Sequence, residues 1–120
     1  MISGIVNEWL EAAVSLELRG SNGEARVIRA IVDTGYNRYL TVPRRLIADL
    51  ELPFIATGHA RLADGSVIEH GIHSGTVIWD GQALPIELDE ADTTPLVGMA
   101  MLDGHDLHLE VRQGGPVTIK

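Results

Sequence analysis

The sequence places an aspartate where burial discourages one. In the stretch AIVDTGYNRYLTVP, residues 30 to 43, an apolar run ends on Asp33, and Thr34 and Gly35 follow at once. An ionised side chain at the end of an apolar strand is costly unless neighbours solvate it or it holds a proton. A carboxyl that holds a proton can do general acid–base work on a substrate. The ordinary alternative is a turn aspartate whose carboxylate accepts hydrogen bonds from nearby backbone N–H groups.

Other chemistries have less to build on. The chain has no cysteine, which removes disulfides, thiol nucleophiles and zinc–thiolate sites. No serine sits in a Gly-x-Ser-x-Gly pattern, so a serine hydrolase has no local support. Two of the five histidines, His70 and His73, are three apart, as are His105 and His108, and on a strand that spacing sends paired side chains to opposite faces. With no His-Glu-x-x-His motif either, no metal or other cofactor is expected. The acids Asp89, Glu90 and Asp92 read as a solvated loop. Trp9 and Trp79 read as core or interface residues.

Composition bounds the class. The chain has 120 residues, 45% hydrophobic and 22% charged, which suits one compact domain, residues 1 to 120, with a real core. A formal net charge of −8 argues against a phosphate-backbone binder, and the one basic pair, Arg44 and Arg45, reads as surface at a helix start. No nucleic acid is expected as partner. No apolar run reaches the ~18 to 20 residues of a membrane-spanning helix, so no membrane is expected either. The opening MISGIVNEWLEAAV lacks the basic region of a secretory signal, which makes the cytoplasm the expected compartment.

The elements that must carry Asp33 are strands. In AAVSLELRG, Val14, Leu16 and Leu18 alternate with Ser15, Glu17 and Arg19, the period of a half-buried strand. Asn22-Gly23 supplies a hairpin turn, and the returning strand ARVIRAIV delivers Asp33 to the point where it leaves the core. Pro43 opens a short helix over about residues 43 to 50, with Leu46, Ile47 and Leu50 on one face. Turn signals at Asp64-Gly65 and Asp80-Gly81 separate three further strands. DEADTTP, residues 89 to 95, is an acidic connection. LVGMAMLDG follows, with Gly98 for close backbone approach and one helical turn or two over Met99 to Leu102. HDLHLEV and PVTIK close the chain as strands. The three strands around Asp64-Gly65 and Asp80-Gly81 form a meander whose first hairpin protrudes, and the expected architecture is mainly β: seven or eight short strands and one or two short helices, closing as a small barrel-like sheet.

Together, VDTGYNRYLTVP, ADGS, VIWDG, PLVGMAML and GGPVTI resemble the retropepsin-like aspartic proteases, in particular their small single-domain bacterial members. The resemblance runs over nearly the whole chain. It departs from the viral members at Tyr36, where they usually place a small residue and the bacterial members tolerate an aromatic one. The resemblance implies a retropepsin fold that works as a symmetric homodimer, acting on peptide or protein substrates without cofactor. Peptide hydrolysis by aspartates needs one carboxylate as base for the attacking water and one carboxylic acid to polarise the carbonyl. With one Asp-Thr-Gly per chain, a two-fold axis would bring Asp33 to its own copy. By the same resemblance Thr34 braces the two loops across the dimer and Gly35 admits backbone to the catalytic carboxylate. The hairpin tip Ala63, Asp64, Gly65 and Ser66 takes the position of the flap that closes over bound peptide. Without the resemblance it is a surface hairpin.

Two rival readings remain at this level. A module of the same fold could hold extended peptides without cutting them, and its sequence would look almost identical. A two-carboxylate glycosidase would need a second acid at fixed distance within one chain, and nothing in the sequence nominates it.

Overall fold

The computed structural model describes residues 1–120 and is built almost wholly from strands. In chain order these elements are β1 (Ile2–Val6), β2 (Ala12–Arg19), β3 (Ala25–Val32), β4 (Leu40–Val42), α1 (Arg44–Asp49), β5 (Phe54–Arg61), β6 (Val67–Trp79), β7 (Gln82–Glu90), β8 (Leu96–Val97), α2 (Met99–Leu102), β9 (Leu107–Leu109) and β10 (Pro116–Ile119). The chain adopts the expected mainly β class, with two short helices where one or two were expected.

Alternation explains the strands that frame the site. On β2, Val14, Leu16 and Leu18 turn inward, and Ile28 and Ala30 do so on β3. They meet Leu40 and Val42 of β4, Val77 of β6, Leu88 of β7 and Val97 of β8 in one core. Fully burying a side chain of this size is worth about 1.5–3 kcal/mol relative to leaving it exposed. Leu46, Ile47 and Leu50 of the α1 segment cap that core, and Pro43 stands at the N-cap rather than inside the helix.

All ten strands form one sheet in the order β5-β6-β7-β4-β8-β3-β2-β1-β10-β9, and a further pairing of β6 with β2 closes its middle into a ring. The turns foreseen at Asn22-Gly23, Asp64-Gly65 and Asp80-Gly81 all form, each glycine at positive φ. The hairpin that stands free is β5–β6, the first of the meander, as expected. β2 lies deep in the sheet, flanked by β1, β3 and β6. The strand count also exceeds the expected seven or eight. β1 carries only weak alternation, and it pairs with β2 on one side and with β10, at the far end of the chain, on the other, Ile2 opposite Ile119. No helix is long and apolar enough to cross a membrane.

Three strands set the position of Asp33. β8 lies between β3 and β4, parallel to the first and antiparallel to the second. The buried Thr41 hydroxyl accepts the Leu96 N–H at 2.8 Å and pins the start of β8 to β4. The chain that leaves β3 at Val32 therefore emerges beside the end of β8 and must loop round it to reach β4.

Candidate active site

Asp33 stands on that emerging chain. Its backbone N–H donates to Val97 O at 2.9 Å, extending the β3–β8 ladder by one residue, and its carbonyl accepts the Tyr36 N–H at 3.1 Å. Its side-chain Oδ1 accepts the Gly35 N–H at 2.9 Å. The bond that a turn aspartate would make is thus present, and it occupies one of the two carboxylate oxygens. Oδ2 accepts no hydrogen bond from the chain, no cation pairs with the group, and the residue is only half-buried. Thr34 and Gly35 are exposed at the tip of the loop.

The loop is held from behind by the PLVGMA segment. Gly98 N–H donates to Tyr39 O at 2.9 Å, Met99 N–H to Tyr36 O at 2.7 Å and Ala100 N–H to Arg38 O at 3.1 Å. This is possible because residue 98 has no side chain: a Cβ there would stand 2.1 Å from Arg38 O and 2.5 Å from the Tyr36 ring. The close approach foreseen for Gly98 is made to the loop that carries Asp33. Beside Thr34 lies an open depression of about 540 Å³ bordered by Asn37, Met99, Asp103 and His105. The half-exposed Met99 gives it an apolar wall.

The residues Ala63, Asp64, Gly65 and Ser66 form the tip of the β5–β6 hairpin, as expected from their turn chemistry. Leu62 N–H donates to Ser66 O at 2.7 Å and Gly65 N–H to Leu62 O at 2.9 Å. Asp64 Oδ1 accepts both the Ser66 N–H, at 2.9 Å, and the Ser66 hydroxyl, at 2.6 Å, and these bonds hold its carboxyl below the usual range. No hydrogen bond joins this tip to Asp33 within the chain.

A second carboxylate changes the picture of the site, and it does not lie in the solvated loop expected for it. Asp89 lies within β7 and is only 5% exposed. Three side chains converge on it. The Tyr36 hydroxyl donates to Oδ2 at 2.5 Å, Arg38 Nε donates to the same oxygen at 2.7 Å, and His70 Nε2 stands 3.1 Å from Oδ1. Since an ionised carboxylate only accepts, His70 is the donor there. Arg38 also reaches Glu87 at 3.0 Å. Burial opposes ionisation of Asp89, but the hydrogen bonds from Arg38 and Tyr36 outweigh it and hold the carboxyl below its ordinary value. The same contacts raise the Tyr36 phenol, through burial first and the Asp89 bond second. They raise Arg38 as well, chiefly through the Asp89 bond.

Glu90 likewise lies in β7, 3.3 Å from Arg44 and 3.7 Å from His73. One signal could have placed both acids in a strand: the inward alternation Ile86, Leu88 runs directly into them. Of the two tryptophans, Trp79 joins the core and donates to His105 Nε2 at 3.2 Å, whereas Trp9 is 73% exposed on the turn after β1. No three His, Asp or Glu side chains are grouped so as to hold a metal ion.

No known family model matches the sequence, and no curated protein does. Among solved structures, the chain is similar to a retropepsin-like aspartic protease from Rickettsia conorii, with a TM-score of 0.59 and 12% sequence identity over 98% of this chain and 89% of that one. At that identity the likeness establishes the fold: the chain has a retropepsin-like architecture along nearly its whole length.

Proposed function

We propose that the chain is an aspartic endopeptidase whose working unit is a homodimer, with Asp33 of each copy contributing one carboxyl to the catalytic pair. The observation that carries this reading is the state of Asp33. It is fixed by its own backbone at a strand end, it faces no cation, and it keeps one carboxylate oxygen unengaged. Asp89, by contrast, has an arginine, a phenol and an imidazole turned toward it and is spoken for by structure. The retropepsin-like fold supports the same assignment at the level of architecture.

The chemistry follows from two carboxyls brought close together. Like charges at short distance do not both ionise readily, so the pair shares one proton near its working pH, as the aspartic proteases exemplify. The ionised partner takes a proton from water while the protonated partner donates to the scissile carbonyl oxygen. The water oxygen bonds to the carbonyl carbon, and as the tetrahedral adduct collapses the C–N bond breaks, the amine takes the proton held by the first carboxyl, and the second recovers one from the adduct's hydroxyl, restoring the singly protonated pair. Thr34, exposed beside the depression bordered by Met99, is the residue that would brace one loop against the other. The β5–β6 hairpin with its tip at Ala63 to Ser66 would be the lid, under which an extended peptide lies and pairs with backbone as an added strand.

The test is cleavage of peptides by the purified chain beside Asp33→Asn. The reading predicts cleavage that depends on dimer formation and is lost in the variant, while the variant keeps the fold and the dimer.

A further inference from the structure

We propose that Asp89 is a positioning residue that clasps the root of the β5–β6 hairpin to the loop after Asp33, so that lid closure and the setting of the catalytic loop are one coupled event. This rests on the preceding reading for its functional meaning, though the clasp itself is a matter of structure.

The argument starts from where the hairpin leaves the sheet. β6 pairs with β7 from Ile72 opposite Asp89 onward to Trp79, whereas its earlier part, Val67 to Gly71, pairs only with β5. Asp89 therefore marks the root of the free arm. His70 lies two residues out along that arm on the same face as Ile72, which makes it the diagonal neighbour of Asp89. Its Nε2 reaches back 3.1 Å to Asp89 Oδ1. Every other side-chain hydrogen bond made by residues 54 to 71 stays inside the hairpin. His70 to Asp89 is the one that ties the arm to the body.

The opposite oxygen of the same carboxylate holds the catalytic loop. Tyr36 directly follows Asp33-Thr34-Gly35, and its hydroxyl and the Arg38 guanidinium both donate to Asp89 Oδ2. One buried group thus receives the lid on one oxygen and the loop on the other. A change in the position of either is felt by the other through a single carboxylate, because leaving the buried Asp89 short of donors is costly.

Gly58 shows that room has been made for the clasp. It lies opposite His70 on β5, and a Cβ there would stand 2.8 Å from both Cε1 and Nε2 of the imidazole. The ring occupies space that only glycine leaves free. Gly58→Ala should therefore push His70 off Asp89 without altering the charge of any group.

Amide hydrogen exchange on the full chain in an Asp33→Asn background tests the clasp with no reference to activity. Tyr36→Phe alters only the loop side, and it should raise exchange of amides 67 to 71 about tenfold while β2 and β10 stay as protected as before. Gly58→Ala alters only the lid side and should raise exchange at residues 35 to 39 by a similar factor. His70→Leu should behave as Gly58→Ala does, and His70→Gln, which keeps a donor near the same place, should restore protection. Exchange changes confined to the element that was mutated would overturn the proposal. With Asp33 restored, the clasp predicts that Gly58→Ala and His70→Leu raise KM for a cleaved peptide at least fivefold and His70→Gln does not. Unchanged KM in all three would equally overturn the link to lid closure. If the chain with Asp33 cleaves nothing, the endopeptidase reading falls by itself and the exchange experiment still decides the clasp.

Discussion

The Tyr36 hydroxyl stands 2.5 Å from Asp89 Oδ2, joining the residue after Asp-Thr-Gly to a buried carboxylate 53 positions further along the chain. This contact gives the aromatic at position 36 a purpose that its place in the motif does not suggest. A hydrogen bond to a charged group is worth about 1.5–3 kcal/mol, so Tyr36→Phe is expected to lose that much stability in urea unfolding at neutral pH. A loss below about 0.5 kcal/mol, the range of ordinary surface substitutions, would mean that Arg38 and His70 satisfy Asp89 without help.

The ionisation of Asp89 should be visible in the acid limb of the stability curve. Its folded-state value lies below the ordinary 3.8, so the native state binds its proton less readily than the unfolded chain does. Such a group contributes stability that is fully present above the ordinary value and is lost as pH falls through the lowered one. Asp89→Asn is therefore expected to be less stable than the parent at neutral pH, with the gap narrowing as the pH is taken below about 4. A gap that stays constant in urea titrations from pH 7 to pH 2.5 would contradict the assignment.

Gly98 offers a backbone test of how the loop after Asp33 is held. An added methyl would stand 2.1 Å from Arg38 O and 2.8 Å from Tyr36 O, and neither is a flexible side-chain end that could swing away. Overpacking of this kind costs about 1–3 kcal/mol or more. Gly98→Ala should lower the thermal midpoint clearly and, where it folds, displace residues 35 to 39 and abolish cleavage. Full stability with full activity would show that the loop is not held by this approach.

At the tip of the β5–β6 hairpin, the proposed lid, the expected pattern is the reverse, a mild effect on stability with a specific effect on substrate. Gly65 has φ of +87° and open space around it, so Gly65→Ala meets strain in its own backbone without a clash. The cost is about 1 kcal/mol. Because the tip is remote in sequence and hydrogen bonding from Asp33, kcat should change less than KM. A pure kcat effect would count against a lid.

Much of this fold is legible in the sequence because it is locally encoded. Asn22-Gly23, Asp64-Gly65 and Asp80-Gly81 announce their turns through positive-φ chemistry, and the alternation of Val14, Leu16 and Leu18 fixes which face of β2 is buried. Asp33 is legible for the same reason, as an apolar strand that runs into a carboxylate. What could not be read is what depends on distant partners. β1 pairs with its neighbour β2 but is completed on its other side by a ladder to β10, more than a hundred residues away. Asp89 looked like one acid among several, since nothing in its neighbourhood along the chain says that Tyr36, Arg38 and His70 will surround it. A solvated acid and a clasped one have the same local sequence and differ only in what folds over them.

The central claim is tested most directly by incubating purified protein with a diverse peptide library from acidic to neutral pH over a range of protein concentrations, beside Asp33→Asn with its oligomeric state measured in parallel. The account predicts cleavage whose specific rate rises with the dimer fraction and disappears in a variant that still dimerises. A folded, dimeric parent that cleaves nothing at any pH would contradict it, and a module that holds extended peptides without cutting them would take its place.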